Sequence, residues 1–211
     1  MKVLTNDNAF TATELRGVKH EPTFAGALSF LRRKYSRDLT GVDVAVTGIP
    51  LDTATTNRPG TRFGPRAIRE ASTELAWARP YGWNFEPLEL LSVIDYGDCR
   101  WDHGRPEEIP GAIESHADTI LASGATMLSL GGDHFVSYPL LKAHAKRHGP
   151  LSLIHFDAHS DTWNDADGVG RVDHGTMFYH AAMEGLVDPA RSVQIGLRTH
   201  NDDLLGFNVL D

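Results

Sequence analysis

The sequence predicts an α/β fold with a mainly parallel sheet that helices cover on both faces. From residue 42 onwards, short segments that are apolar almost throughout alternate with segments of helical periodicity. Strands that are apolar along their whole length are typical of parallel sheets buried on both sides. No low-complexity tract or Pro/Ser-rich linker interrupts this alternation. We therefore predict an N-terminal arm over residues 1–41 and a single domain over residues 42–211.

The predicted elements follow one another in regular order. The first strand, at residues 42–49, is rich in β-branched residues, and Pro65 marks the first turn of the next helix, a position that proline tolerates well. Further strands are predicted at residues 90–94, 126–130, 151–156 and 193–197, and helices at residues 109–121, 138–146 and 176–183. Residues 206–211 resemble the entry to another element.

Composition excludes several classes of function. The 211 residues include 28 acidic and 20 basic side chains, a formal net charge of −8, and no basic stripe. Such a chain is a poor binder of nucleic acid or anionic membranes, whereas cationic small molecules are natural partners. The single cysteine, Cys99, cannot form an internal disulfide, and no apolar run is long enough for a signal peptide or a membrane span. We expect a cytoplasmic protein.

Two polar motifs follow predicted strands, where ligands gather in parallel sheets. The first is Gly131-Gly132-Asp133-His134, whose glycines allow a tight turn. The second contains Asp157, His159 and Asp161, which point to one side if the chain stays extended. With His134 they form a mixed oxygen and nitrogen donor set that suits Mn²⁺ better than a structural Zn²⁺ site, which uses thiolates. His155 lies inside the strand and is interpreted as a core histidine.

These motifs carry a family resemblance. Gly131-Gly-Asp-His134, Asp157-Ala-His-Ser-Asp161 and Asp173-His-Gly-Thr-Met-Phe178 resemble the signature segments of the ureohydrolases, the arginase and agmatinase superfamily. The similarity is closest to the bacterial agmatinases and extends almost continuously from Val42 onwards.

The resemblance implies a three-layer α/β/α, arginase-like fold and hydrolysis of a small cationic guanidino substrate, agmatine, to putrescine and urea. Two Mn²⁺ ions would share a bridging hydroxide that attacks the guanidinium carbon. His134 would bind one ion and His159 the other, while Asp157 would bridge the pair and Asp161 would complete the shell of the first ion.

The resemblance also assigns His174 as a proton shuttle that protonates the departing amine. On the residues alone, the favoured interpretation of His174 is an exposed residue at a helix start that Asp173 caps. Asp133 is expected to support the site, either by orienting His134 or by holding the loop. The loop at residues 163–172, with Asp165 and Asp167, either helps to admit a cationic substrate or is a plain acidic loop.

The chain also departs from the family pattern. The resemblance implies a longer chain whose later strand supplies two more metal-binding carboxylates. We therefore expect an N-terminal portion that lacks the C-terminal strands and helices, and that alone binds Mn²⁺ poorly and is weakly active or inactive. Alternatives are another guanidino hydrolase (guanidinobutyrase, guanidinopropionase or arginase), a single-metal deacetylase of the same fold, or a non-catalytic truncated paralogue. A homo-oligomer, trimer or hexamer, is expected by analogy.

Overall fold

The computed structural model describes residues 7–164 and 170–210. The chain forms two compact units, each described separately below. The first contains Met1–Pro50, Gly60–Cys99 and Thr119–Gly132, and the second contains Leu51–Pro59, Arg100–Asp118 and Asp133–Asp211. The single domain over residues 42–211 stays a prediction. Asp165 and Asp167 of the predicted acidic loop lie outside the described residues.

The described residues contain six α-helices and seven strands. The helices are α1 (Asn8–Thr11), α2 (Gly64–Ser72), α3 (Pro87–Leu90), α4 (Ile109–Ala122), α5 (Ser137–His148) and α6 (Met177–Met183). The strands are β1 (Lys34–Tyr35), β2 (Val44–Ile49), β3 (Val93–Asp98), β4 (Thr126–Gly131), β5 (Ile154–Phe156), β6 (Val193–Ile195) and β7 (Asn208–Leu210). Short 3-10 turns precede α2, α4 and α5.

The strands form two sheets, and every strand pairing among the described residues is parallel. The first unit holds a sheet of order β1-β3-β2-β4, and the second unit holds one of order β5-β6-β7. The prediction of an α/β chain with a parallel sheet is therefore confirmed. Strand β1 lies within the predicted arm and pairs with β3, and residues 206–211, predicted as the entry to another element, include β7.

The predicted strand at residues 90–94 is shifted along the chain. The strand begins at Val93 and continues to Asp98, with the carboxylate of Asp95 fully buried in it. Arg69 of α2 makes this possible, because its Nε lies 2.7 Å from Asp95 Oδ2 and its Nη2 lies 3.0 Å from Asp95 Oδ1. The predicted strand ends before Asp95, the first acidic residue of β3. In the structure Arg69 of α2 neutralises the charge of Asp95, and the strand continues past it.

Both units contain buried apolar side chains. In the first unit, Ala45, Ile94 and Ile120 are fully buried and belong to one cluster. In the second unit, Met177, Phe178 and Ala181 line the buried side of α6. The strand predicted at residues 151–156 shortens to β5, preceded by an isolated bridge between Leu151 and Val187. Over the described part of the chain, no helix combines the length and apolar character that a membrane crossing requires.

Candidate metal centre

His134 enters the site through a tight turn after β4. Gly132 has a φ of +42°, in the left-handed region that glycine adopts without strain. The backbone N–H of Asp133 then donates to the carbonyl of Leu51 at 2.7 Å, and His134 begins the 3-10 turn that leads into α5. The paired glycines thus serve the turn that the sequence predicts, and they leave the imidazole half-buried.

Asp157 and Asp161 come from the turn that follows β5. Asp157 continues the strand, since its N–H donates to the carbonyl of Ile195 at 3.2 Å. Asp161 is buried and has a φ of +51°, a conformation that aspartate adopts more readily than most residues. Its carbonyl accepts the N–H of Phe178 at 3.0 Å, which ties the turn to the start of α6.

The two carboxylates meet the first imidazole. His134 Nδ1 lies 2.7 Å from Asp161 Oδ2 and 3.4 Å from Asp157 Oδ2. Together with His155, these residues offer four ligand atoms that all lie within 4.8 Å of one another. Carboxylate oxygens combined with imidazole nitrogens suit a hard or borderline divalent cation, so the donor set fits Mn²⁺. The three predicted ligands His134, Asp157 and Asp161 are therefore brought together.

His159 is placed differently. The predicted two-residue alternation assumes an extended chain, but the N–H of His159 donates to Asp157 Oδ1 at 2.9 Å and turns the backbone. The imidazole is consequently exposed, packs near Trp163, and keeps its Nδ1 3.4 Å from Asp157 Oδ1. His159 therefore lies beside the cluster, next to the carboxylate oxygen that faces away from His134.

Asp133 holds the loop. Its Oδ2 accepts the backbone N–H of Ala54 at 2.9 Å, and no contact with His134 is seen among the described residues. The side chain is almost fully buried, with Oδ1 lacking a partner in the described part of the chain. Burial raises the pKa of this carboxyl, although the Ala54 N–H and the nearby His174 partly oppose that effect. Of the two predicted roles, the structure displays the loop contact.

His174 lines the same cavity as the metal-ligand candidates. The cavity measures about 430 Å³, and its walls are Thr56, His134, Asp157, His159, Asp161, Trp163, His174, Gly175 and Thr199. The backbone N–H of Thr56 donates to His174 Nε2 at 3.2 Å. Because Nε2 accepts this bond, the ring proton of the neutral imidazole is on Nδ1.

Thr56, Trp163 and Thr199 were not identified by the sequence. They carry no motif, and Thr56 is 118 residues from its partner His174.

His155 is buried as predicted, but it also reaches the cluster. Its ring packs against Phe178 at 4.7 Å between centroids, and its Nδ1 contacts Gln194. Its Nε2 lies 3.6 Å from Asp157 Oδ2 and has no hydrogen-bond partner among the described residues. Burial lowers the pKa of His155, and the neighbouring His134 lowers it further. This histidine therefore belongs both to the core and to the edge of the site.

The site also favours an ionised carboxylate at its centre. Burial disfavours the charge on Asp157, but the N–H of His159 and the adjacent imidazoles outweigh it and lower the pKa of this group overall. An anionic Asp157 is the form that a cation requires.

Comparisons with known proteins agree with this geometry. The arginase family model matches residues 42–210. The agmatinase of Chromobacterium violaceum is 58% identical over 210 residues, which cover 99% of this chain and 65% of that protein. The chain thus spans about two thirds of the length of this curated relative.

Two solved structures of similar fold support the same family assignment. A crystal structure of a hypothetical agmatinase from Burkholderia thailandensis has a TM-score of 0.94 and 58% identity, over 98% of this chain and 65% of that one. The proclavaminate amidino hydrolase of Streptomyces clavuligerus has a TM-score of 0.82 and 38% identity, over 90% of this chain and 64% of that one. The fold is therefore arginase-like, as the resemblance implies, and the chain belongs to the arginase family.

Proposed function

We propose that this chain forms the metal-binding part of a Mn²⁺-dependent hydrolase that converts agmatine to putrescine and urea. The observation that carries the proposal is the convergence of His134, Asp157 and Asp161, with their ligand atoms inside a cluster 4.8 Å across. The agmatinase names of the similar proteins support the choice of substrate.

The residues that would hold the cation are divided between two sides of Asp157. His134 lies near Asp157 Oδ2 and also contacts Asp161, whereas His159 lies near Asp157 Oδ1. This division supports two ions, which Asp157 would help to hold together with the two histidines. When bound, the divalent ions lower the pKa of water so that hydroxide is available near neutral pH.

The residues around the cluster would then position substrate and protons. The cavity of about 430 Å³ has the size of a small-molecule site. His174 lies in the same wall, and its protonated imidazolium form would donate a proton to the departing amine.

A second candidate function shares this chemistry. The similarity to an amidino hydrolase at 38% identity favours hydrolysis of another guanidino compound as the alternative. The test is a substrate panel of agmatine, arginine, guanidinobutyrate and guanidinopropionate, assayed for urea with added Mn²⁺. We expect the largest kcat/KM for agmatine. A larger value for one of the other three would assign the chain to that substrate.

A further inference from the structure

A buried glutamine connects both central carboxylates of the candidate site. Gln194 lies in the middle of β6 and is fully buried. Its Nε2 donates to the carbonyl of Ser160 at 2.7 Å and also contacts His155 Nδ1 at 3.3 Å. Ser160 directly precedes Asp161 in the chain, and His155 Nε2 faces Asp157. One side chain therefore touches the supports of two predicted ligands.

The Ser160 contact determines the orientation of the amide. A backbone carbonyl can only accept a hydrogen bond, so the atom that faces it must be the NH₂ group of Gln194. The same NH₂ group then also donates to His155, and Nδ1 of that ring must carry a lone pair. The single proton of the neutral imidazole is therefore on Nε2.

We propose that Gln194 and His155 form a positioning pair for the metal centre, an inference that rests on the metal site of the proposed function. Gln194 holds the Ser160 carbonyl and fixes the His155 tautomer, and the His155 Nε2–H is directed at Asp157 Oδ2. His155 Nε2 lies 3.6 Å from Asp157 Oδ2, too far for a hydrogen bond. The proposal is that this contact shortens to a hydrogen bond when the cation is bound.

This arrangement separates two roles that His155 could have. A ligand must offer a lone pair to the cation, but Nε2 carries the proton because Gln194 occupies Nδ1 as a donor. His155 is therefore a positioning residue and not a ligand, although its Nε2 lies within the four-residue cluster. Groups that hydrogen-bond to metal ligands orient them, and their loss weakens metal binding by about 10–100-fold.

The first test is the tautomer of His155 in the full 211-residue chain. Long-range ¹H–¹⁵N correlation spectra, with the ring assigned by triple resonance, report which nitrogen carries the proton. We expect the Nε2–H form without metal, and the same form after addition of Zn²⁺ as a diamagnetic probe. A proton on Nδ1, or loss of the Nε2 proton on Zn²⁺ addition, would overturn the proposal. This readout does not depend on agmatine hydrolysis, so it separates the failure of the two proposals.

The second test compares variants by electron paramagnetic resonance, which counts free Mn²⁺. Gln194→Met and His155→Phe keep the buried volume but remove the donors, and we expect Mn²⁺ affinity to fall by about tenfold or more. Ser192→Ala is the matched control, because it removes a buried hydroxyl from the residue that precedes β6. Among the described residues, that hydroxyl bonds only to the backbone of Leu153 and Asp188. Wild-type affinity in both test variants would contradict the proposal. If a variant fails to fold, the tautomer of the wild-type chain still decides.

Discussion

Nδ1 of His134 lies 2.7 Å from Oδ2 of Asp161, although the two residues come from different turns. The two atoms are in contact, and both would be ligands of a cation bound at this site. Asp161 is almost fully buried, so its position is set by the fold and not by solvent.

Replacing Asp161 with Asn therefore tests the centre of the site. An amide has nearly the same shape as the carboxylate but is a much weaker ligand for a hard cation. We expect Mn²⁺ affinity, measured by electron paramagnetic resonance, to fall at least about tenfold. Asp202→Asn is the control, because its carboxylate is 98% exposed and lies outside the cluster. An equal loss in both variants would show nonspecific binding of Mn²⁺ to acidic groups.

His174→Asn tests the proton donor. Loss of a positioned general acid lowers kcat by about 10²–10⁴-fold. Mn²⁺ affinity should not change, because His174 lies outside the ligand cluster. The measurements are urea release from agmatine and Mn²⁺ titration on the same sample. His180→Gln is the matched control, since its ring contacts Arg171 and Tyr138 and does not line the cavity. A loss of Mn²⁺ affinity in His174→Asn would contradict the assignment.

Asp133 has a structural role that substitution can separate from metal binding. Asp133→Ala removes the acceptor of the Ala54 N–H, and we expect it to lower the free energy of unfolding by about 1–3 kcal/mol. Asp133→Asn keeps an acceptor oxygen and should cost less. Urea denaturation gives both values. Mn²⁺ affinity should be similar to wild type in Asp133→Asn, whereas a loss there would indicate that Asp133 orients His134.

The ion pair of Arg69 with Asp95 should stabilise the first unit. Arg69→Met leaves a fully buried carboxylate without its cation, and we expect a loss of about 3–5 kcal/mol in the free energy of unfolding. A double variant, Arg69→Met with Asp95→Asn, removes both charges and should recover part of that loss. Additive losses in this double-mutant cycle would show that the two residues do not interact.

Tyr138 should make stability depend on alkaline pH. Burial raises the pKa of its hydroxyl, and the hydrogen bond to Glu184 adds to the shift. The folded chain therefore keeps this proton to higher pH than the unfolded chain, so its stabilising contribution is complete below about pH 10 and is lost as pH rises through the folded pKa. Denaturation at several pH values should show this loss in wild type and not in Tyr138→Phe. Tyr81→Phe, at an exposed position, should behave like wild type.

Local patterns in the sequence predict much of this structure. Apolar runs locate β2 and β4, and the glycine pair before Asp133 predicts a tight turn, in which the structure gives Gly132 a positive φ. The apolar pattern does not predict the full extent of β3, because this strand contains Asp95, whose burial depends on the ion pair with Arg69. An ionic contact across 26 residues leaves no local signal.

The candidate site is likewise predicted only in part from the sequence. Spacing identifies Asp157 and Asp161 beside His134, but the extended chain that the period-two argument assumes for His159 is not present, since the Asp157 side chain accepts the His159 N–H. The sequence does not predict the contacts of Gln194 and Thr56, because Gln194 is a lone polar residue in a strand and Thr56 acts through its backbone.

Urea release from agmatine, measured with and without added Mn²⁺, is the decisive experiment for the proposed Mn²⁺-dependent hydrolysis of agmatine. The sample is the natural polypeptide, whose intact mass is determined first and compared with the 23.2 kDa of this sequence. We expect urea release that requires Mn²⁺ and that is lost in the Asp161→Asn variant. A natural polypeptide that binds Mn²⁺ at this site yet releases no urea from agmatine would contradict it.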